Sequence, residues 1–211
     1  MRLPPAPDLS ERAESGTWFR AIQLRFWDPA NPLGTRHTKT APTRFNPGSH
    51  PKPGRIGFEI LYLAENHLVA ALEVQALLGS PPGLLVPNPF AAWVFIPVLT
   101  NLQRVADLTD VGEQSKLDTT VQELTGDWRG YDLRGAALAS VPAPVGDAPT
   151  QLLGEHLFQD DWEGFRAVSA RVPNSQILAI FPDNLLAGSW VEFSDPVDGT
   201  ARRVTGIRTL P

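Results

Sequence analysis

Hydrophobic and polar residues alternate in several short segments of the chain, and this pattern predicts more strands than helices. Alternation with a period of two is typical of strands that bury one face, whereas apolar residues three or four positions apart are typical of helices. The predicted strands are residues 17–26, 58–64, 92–99, 102–107, 164–169, 176–181, 189–193 and 202–208. The predicted helices are residues 67–78, 115–125 and 149–158. Because strands and helices do not alternate regularly, we expect an α+β fold rather than a doubly wound sheet.

The predicted helix 67–78 is apolar on nearly all sides but carries one carboxylate, Glu73, on its apolar surface. Asn66 before it and Gly79 after it are residue types that begin and end helices. No residue three or four positions from Glu73 is cationic, so a salt bridge within the helix does not account for it. Since an unpaired buried carboxylate is costly, Glu73 must meet a cation or donor from another segment, or line a wet cleft. A structural ion pair and a site carboxylate with an altered pKa both remain open.

The predicted strand 17–26 carries one charged residue on an otherwise apolar face. A period of two places Arg20 on the same face as Trp18, Ile22 and Phe26. An arginine near the start of a strand can extend its charged head to solvent. The position of Arg20 therefore does not by itself distinguish a structural role from a functional one.

Three other residues have ordinary explanations when each is considered alone. Tyr62 shares a strand face with Phe58 and Ile60, which is typical of a core tyrosine. Arg44 precedes an Asn-Pro-Gly turn, where a surface arginine is the usual finding. Nothing in the pattern around Ser169 distinguishes it.

Composition narrows the classes of protein. A chain of 211 residues, with 42% hydrophobic and 19% charged residues, is expected to form one globular domain. Its formal net charge of −5, without a cluster of lysine or arginine, argues against direct nucleic-acid binding. The absence of cysteine excludes disulfides, thiolate nucleophiles and cysteine-ligated zinc. The four histidines show no spacing that indicates a metal site.

Neither the N-terminal segment nor the apolar segments indicate a membrane protein. The opening residues MRLPPAPDLSERAES have no apolar core like that of a signal peptide, so we expect a cytoplasmic location. The longest apolar run, FAAWVFIPVL, is too short to span a bilayer and contains Pro97. We predict a Pro-rich tail at residues 1–16, a main domain at 17–186, and C-terminal strands at 187–211 that complete or extend that domain.

Ordered blocks across residues 17–186 resemble the RES domain family, named for its arginine, glutamate and serine. The blocks are WFRAI, TRFNPGS, LYLAENHLVAALEV, RVADLTD, PTQLLGEHLF and EGFRAVSARVPNSQILAIF. The chain departs from the family at Thr43, where glycine is common, and in a longer loop after the Asn-Pro-Gly turn. The resemblance implies catalytic roles for Arg20, Tyr62, Glu73 and Ser169, and substrate binding by Arg44 and Asn46.

The resemblance also implies a fold and an activity. The fold would be similar to that of ADP-ribosyltransferase toxins, with a cleft for NAD. Members of the family are toxins that cleave NAD between nicotinamide and ribose, and some transfer the ribose to inorganic phosphate. They are usually held by helix-turn-helix antitoxins of the Xre class. No resident cofactor or metal is implied, because NAD is the substrate and phosphate a co-substrate; homo-oligomerisation stays open.

The residue types fit this chemistry. Nicotinamide leaves as a neutral base, so no general acid is needed, unlike ordinary glycoside hydrolysis with its two carboxylates. One anion such as Glu73 can stabilise the positive charge that develops on the ribose, and the forked guanidinium groups of Arg20 and Arg44 suit pyrophosphate or phosphate. Tyr62 could stack on nicotinamide, and Ser169 could bind phosphate or ribose. A catalytically silent binding protein with the same fold, and a mono-ADP-ribosyltransferase acting on a macromolecule, remain as alternatives.

Overall fold

Strands outnumber α-helices in the structure, as the alternation pattern predicts. The computed structural model describes residues 8–49, 57–79, 83–129, 131 and 147–209. Residues 1–7 of the predicted Pro-rich tail, and residues 50–56, 80–82, 130, 132–146 and 210–211, lie outside the described residues. The strands are β1 (Glu11–Gln23), β2 (Leu61–Ala64), β3 (Leu77–Gly79), β4 (Leu85–Pro87), β5 (Trp93–Asp107), β6 (Gly164–Val168), β7 (Gln176–Ile180), β8 (Trp190–Ser194) and β9 (Ala201–Thr205). The α-helices are α1 (His67–Glu73), α2 (Val111–Lys116), α3 (Val121–Thr125) and α4 (Pro149–Gln159), and 3-10 turns occur at Leu24–Phe26, Arg36–Lys39 and Pro182–Asn184.

Seven of the described strands form one sheet in the order β1-β2-β7-β6-β5-β8-β9. Strand β1 also pairs with β5 along its length and meets β2 at Phe19 and Ala64. The strands β1, β2, β7, β6 and β5 therefore form a closed ring of pairings. Strands β5 and β6 run parallel, whereas the other pairs are antiparallel. This mixed, mainly antiparallel sheet with a few short helices confirms the predicted α+β fold.

The central strands of the sheet are buried on both faces. In β7, Ile177 and Ala179 belong to a core that includes side chains of α3 and α4. Their neighbours Leu178 and Ile180 belong to a second core, with side chains of β1, β5 and β8. Because successive strand residues point to opposite faces, the two cores enclose the central strands and give the site residues a rigid frame.

Several predicted boundaries differ from the structure. Strand β1 begins at Glu11 rather than at residue 17. The two predicted strands at 92–99 and 102–107 are one strand, because Thr100 and Asn101 continue the pairing with β1. The predicted helix 115–125 is two helices, separated where Asp118 adopts a φ of 48° and Thr120 caps α3. No helix in the described part of the chain is long and apolar enough to cross a membrane.

Helix α1 ends at Glu73, so the predicted extent of 67–78 is wrong beyond that residue. Asn66 caps the helix as predicted, because its side chain accepts a hydrogen bond from the N–H of Val69 at 3.0 Å. After the helix Gln75 adopts a φ of 59°, and the next residues pair as β3 with β4. Gly79 lies in this hairpin and does not end the helix. The tertiary pairing of β3 overrides the helical periodicity that the sequence shows there.

Candidate active site

Arg20, Tyr62 and Glu73 come from three elements but line one cavity of about 340 Å³. Arg20 lies on β1, Tyr62 on β2, and Glu73 at the end of α1. Because β1 and β2 pair and α1 follows β2 after a short turn, the fold brings these three side chains together. Arg44 and Thr43, from the loop that precedes β2, line the same cavity.

The carboxylate of Glu73 accepts three hydrogen bonds from two other segments. Its Oε2 accepts from Arg44 Nη2 at 2.9 Å. Its Oε1 accepts from Ser169 Oγ at 2.5 Å and from the N–H of Ala170 at 2.9 Å. The Glu73 side chain is 17% exposed, so it is largely withdrawn from solvent while still lining the cavity. Both oxygens therefore have fixed orientations.

The position of Glu73 in its helix makes these contacts necessary. A carboxylate in the last helical turn faces the negative end of the helix dipole, which disfavours it by about 0.3–1 kcal/mol. Helix α1 has no basic residue in its last turn that could offset this. The stabilisation of the charge must come from Arg44, Ser169 and Ala170 instead. A carboxylate held against its local electrostatics is typical of a site rather than of a helix surface.

The ion pair between Arg44 and Glu73 leaves part of the guanidinium without acceptors. The Nε and Nη1 atoms of Arg44 are shielded from solvent, and no acceptor among the described residues reaches them. Buried polar groups are nearly always hydrogen-bonded in folded proteins, and exceptions concentrate where strain or function requires them. A purely structural ion pair would satisfy both partners. The pair is thus incomplete on its arginine side.

Tyr62 holds the loop that carries Arg44. Its hydroxyl lies 2.7 Å from Thr43 Oγ1 and accepts a hydrogen bond from the N–H of Phe45 at 3.2 Å. Burial raises the pKa of Tyr62 to about 12, so the hydroxyl stays protonated at neutral pH. Gln151 of α4 adds a further contact, because its Nε2 donates to the Thr43 carbonyl at 2.9 Å. Arg44 therefore sits between two anchored neighbours.

Asn46 supports the same loop through hydrogen bonds to the backbone and does not line the cavity. It is fully buried, and its Nδ2 donates to the carbonyls of Thr38 and Phe58 at 2.9 and 2.8 Å. Its Oδ1 accepts from the N–H of Gly48 at 2.8 Å. The side chain predicted to bind substrate is therefore engaged with the backbone on both its nitrogen and its oxygen.

Arg20 is only 8% exposed and is tied to the loop after β1. Its Nη1 donates to the carbonyl of Pro32 at 2.5 Å, and its Nη2 to that of Gly34 at 2.8 Å. Burial lowers the pKa of Arg20 to about 10, which leaves the guanidinium charged at neutral pH. A charge at this depth is costly unless a partner anion or several acceptors surround it, so the wall of the cavity carries a fixed cation.

Ser169 lies behind the carboxylate and not among the residues that line this cavity. Its Oγ donates to Glu73 and accepts from the N–H groups of Arg171 and Val172 at 3.1 and 3.0 Å. It is 4% exposed. With its donor and both lone pairs engaged, Ser169 orients Glu73 from the turn between β6 and β7.

Sequence reasoning missed the other aromatic and basic residues that line the cavity, which are Phe19, His37, Trp128 and Arg129. Burial, and then the charge of Arg20, lower the pKa of His37, while Glu59 opposes them. Trp128 follows α3, in a segment where no periodicity marks it. The aromatic residue next to Arg20 in WFRAI was the one usable signal. Among the described residues, no group of three or more His, Asp or Glu side chains could hold a metal ion.

Comparisons with known proteins identify the family. The family model of the RES domain matches residues 17–194. The toxin–antitoxin complex MbcT–MbcA of M. tuberculosis contains a similar structure, with a TM-score of 0.47 and 14% identity over 79% of this chain and 74% of that chain. No curated protein matches the chain. The family match spans most of the chain, including every candidate site residue, and the chain therefore belongs to the RES domain family.

Proposed function

We propose that this protein cleaves NAD between nicotinamide and ribose, with inorganic phosphate or water as the acceptor. The observation that carries the proposal is the carboxylate of Glu73, which three donors orient in a cavity that Arg20 and Tyr62 also line. Membership of the RES domain family supports it. The proposal requires one anion near the ribose and cations near the phosphates, and the cavity contains both.

The bond that breaks is the C–N bond between the ribose C1′ and the pyridinium nitrogen. Its electron pair moves to that nitrogen, so nicotinamide leaves as a neutral base and the ribose becomes cationic. An oxygen of phosphate or water then bonds to C1′, and attacking water also loses a proton. Glu73 stabilises the cationic ribose because a preorganised charge is worth more in a site withdrawn from water. Its side chain is 17% exposed, which meets that condition.

Arg44 links substrate binding to Glu73. It contacts the carboxylate through Nη2 only, so its other nitrogens stay available to an anion once the side chain shifts. Arginine is suited to this role because its planar fork can bond a carboxylate on one edge and a phosphate oxygen on another. When substrate draws Arg44 towards its pyrophosphate, Glu73 is freed to face the ribose.

The remaining predicted residues act by positioning. Ser169 and Ala170 hold one oxygen of Glu73, and Asn46 holds the loop of Arg44. Tyr62 combines two roles, because it lines the cavity while its hydroxyl fixes the loop. Such support fixes catalytic groups by locking their rotamers.

We also assign this protein the toxin role in a toxin–antitoxin pair, in the cytoplasm where NAD is used. Family membership supports this role, and the expected partner is a helix-turn-helix antitoxin of the Xre class. The partner would protect the producing cell by covering the cavity or by preventing movement of the residues that line it. Co-expression with the neighbouring gene product, followed by measurement of NAD consumption, tests this part separately.

The test of the activity is incubation of the purified protein with NAD, with and without phosphate, and identification of the products by mass spectrometry. We expect nicotinamide in both cases, with ADP-ribose phosphorylated at the ribose carbon that carried nicotinamide when phosphate is present. Transfer of ADP-ribose to an added protein would indicate a mono-ADP-ribosyltransferase. Nicotinamide at background under all conditions would show a binding protein that has kept the fold.

A further inference from the structure

A second cavity of about 360 Å³ borders Arg20 and His37. Arg20, Ala21 and His37 line both cavities, so the two cavities are adjacent. The second cavity is built from the end of β1, the loop that follows it, and the start of β5. Each cavity alone is near the lower end of ligand sites, which measure roughly 300–1,000 Å³. Side by side they form a site with two compartments.

We propose that the second cavity binds the adenosine half of the dinucleotide and selects NAD over NADP, an inference that rests on the proposed function. A dinucleotide consists of two nucleosides joined by a pyrophosphate, and the molecule offers two cavities joined at a cation. The nicotinamide riboside occupies the cavity of Glu73, and the adenosine occupies the other.

Arg20 lines both cavities, so the pyrophosphate that joins the two halves of NAD would lie against it. Two of its N–H groups bond the carbonyls of Pro32 and Gly34, and an arginine has five N–H donors in all. In the described part of the chain, Arg20 makes no further hydrogen bond, so its other N–H groups are available to an anion. A dianionic bridge at this point would also neutralise a cation that is almost fully buried.

The lining of the second cavity suits a nucleobase. The ring of Phe26 borders it and is 67% exposed, although Arg25 covers part of the ring at 4.7 Å. Trp93 supplies a second aromatic side chain. Stacking of a base on an aromatic ring contributes about 1–3 kcal/mol. The exposed aromatic surface of Phe26 is accounted for if a flat occupant covers it.

Polar groups of the same cavity suit the rest of adenosine. The amides of Gln23 and Asn31 can bond the edge of the base. Asp28 uses Oδ1 to accept from the N–H of Ala30 at 2.9 Å, and its Oδ2 is free to accept from a ribose hydroxyl among the described contacts. A carboxylate that bonds the 2′-hydroxyl is how other dinucleotide sites prefer NAD, because it repels the 2′-phosphate of NADP.

Kinetics with two substrates, NAD and nicotinamide mononucleotide, distinguish the roles of the two cavities. Nicotinamide mononucleotide has the scissile bond and one phosphate but no adenosine. We expect Phe26→Ala to raise KM for NAD by about tenfold, while kcat/KM for the mononucleotide stays unchanged. Asp28→Asn should narrow the preference for NAD over NADP. Phe90→Ala is the matched control, because Phe90 is 91% exposed and lines neither cavity. Equal effects of Phe26→Ala on both substrates, or no effect on NAD, would overturn the assignment.

A binding measurement distinguishes this inference from the proposed function. AMP titrated into wild-type protein should shift the side-chain amide resonances of Asn31 and the indole N–H of Trp93, and Phe26→Ala should weaken that binding. If these shifts occur but no nicotinamide is ever released, the activity is wrong and the adenosine compartment stands. If nicotinamide is released but AMP neither shifts these signals nor competes with NAD, the compartment is wrong and the activity stands.

Discussion

Glu73 and Glu163 are both withdrawn from solvent, but their surroundings differ in kind. Glu163 is fully buried, and three backbone N–H groups satisfy it. Its Oε2 accepts from Gln103 and Arg104, each at 2.6 Å, and its Oε1 accepts from Leu186 at 2.8 Å. It lines neither of the two cavities. The carboxylate joins β5 to the segment before β8, so its role is to hold the sheet together.

Glu73 takes two of its three hydrogen bonds from side chains, Arg44 and Ser169. Backbone donors are fixed by the sheet, whereas a side chain can reorient when a ligand arrives. The pair with Arg44 is also incomplete, since two nitrogens of the arginine have no acceptor within the part of the chain that the structure describes. Burial alone therefore does not distinguish the two carboxylates. Side-chain donors and contact with a cavity do.

The largest expected effect is on catalysis by Glu73→Gln. The substitution keeps the size and one acceptor oxygen for Ser169 and Ala170, but removes the charge that faces the cationic ribose. That interaction exists mainly in the transition state, so we expect kcat for nicotinamide release to fall by about 10²–10³. KM for NAD should change comparatively little. Steady-state kinetics at saturating NAD provides the measurement.

Glu163→Gln should show the opposite behaviour. Its amide nitrogen would face a backbone N–H such as that of Leu186, which places two donors against each other. We expect the free energy of unfolding to fall by about 1–3 kcal/mol, measured by urea denaturation, with kcat per folded molecule unchanged. A loss of kcat without a loss of stability would erase the contrast between the two carboxylates.

Arg44→Ala tests the same ion pair by removing its cation. We expect KM for NAD to rise by about tenfold or more, since a hydrogen bond to a charged group contributes about 1.5–3 kcal/mol. The loss in kcat should be smaller if Arg44 mainly captures phosphate. Arg44→Lys should recover only part of the affinity, because a lysine lacks the planar fork. A loss confined to kcat would instead place Arg44 in the chemical step.

Ser169→Ala tests the orientation of Glu73 with a smaller change. One of two donors to Oε1 is removed, and the N–H of Ala170 remains. The bond that is lost joins a hydroxyl to a charged carboxylate, but the Ala170 N–H still holds the same oxygen, so we expect a net loss of about 1 kcal/mol, a fall in kcat of about fivefold, and a KM near that of the wild type. A rise in KM alone would indicate that Ser169 contacts substrate directly.

The smallest effect concerns pH. Burial lowers the pKa of His37, with a contribution from Arg20, so the folded protein binds its proton less readily than the unfolded chain. Stability from His37 is therefore present above its ordinary pKa of 6.5 and is lost as pH falls below it. His37→Gln should reduce the drop in unfolding midpoint between pH 7.5 and pH 5. An unchanged drop would show that His37 titrates normally.

The sequence predicts the fold class, and it predicts that Glu73 needs a partner from another segment. It predicts nothing about Glu163. The absence of a cation within reach along the helix led to the expectation that Glu73 meets a donor from another segment, and Arg44, Ser169 and Ala170 are such donors. That argument needs only helix geometry and the cost of an unpaired charge. Glu163 gives no such signal, because backbone N–H groups are not visible in a pattern of side chains.

The rest depends on tertiary structure. The end of α1 at Glu73 follows from the pairing of β3 with β4, which a helical periodicity does not reveal. The place of Ser169 behind the carboxylate depends on how the turn after β6 meets α1. Trp128 reaches the cavity from a segment without periodicity. Pattern reasoning identifies charges that need partners, but not the route by which distant segments reach a cavity.

The most direct test compares nicotinamide release per folded molecule with the unfolding midpoint, on the same preparations of wild type, Glu73→Gln and Glu163→Gln. The account predicts that Glu73→Gln loses about 10²–10³ in rate per folded molecule, in addition to any fall in midpoint caused by setting the glutamine amide against Arg44. It predicts that Glu163→Gln keeps the wild-type rate of nicotinamide release and has a lower unfolding midpoint. Near wild-type turnover from a destabilised Glu73→Gln would contradict the account, because it would make Glu73 a second structural carboxylate.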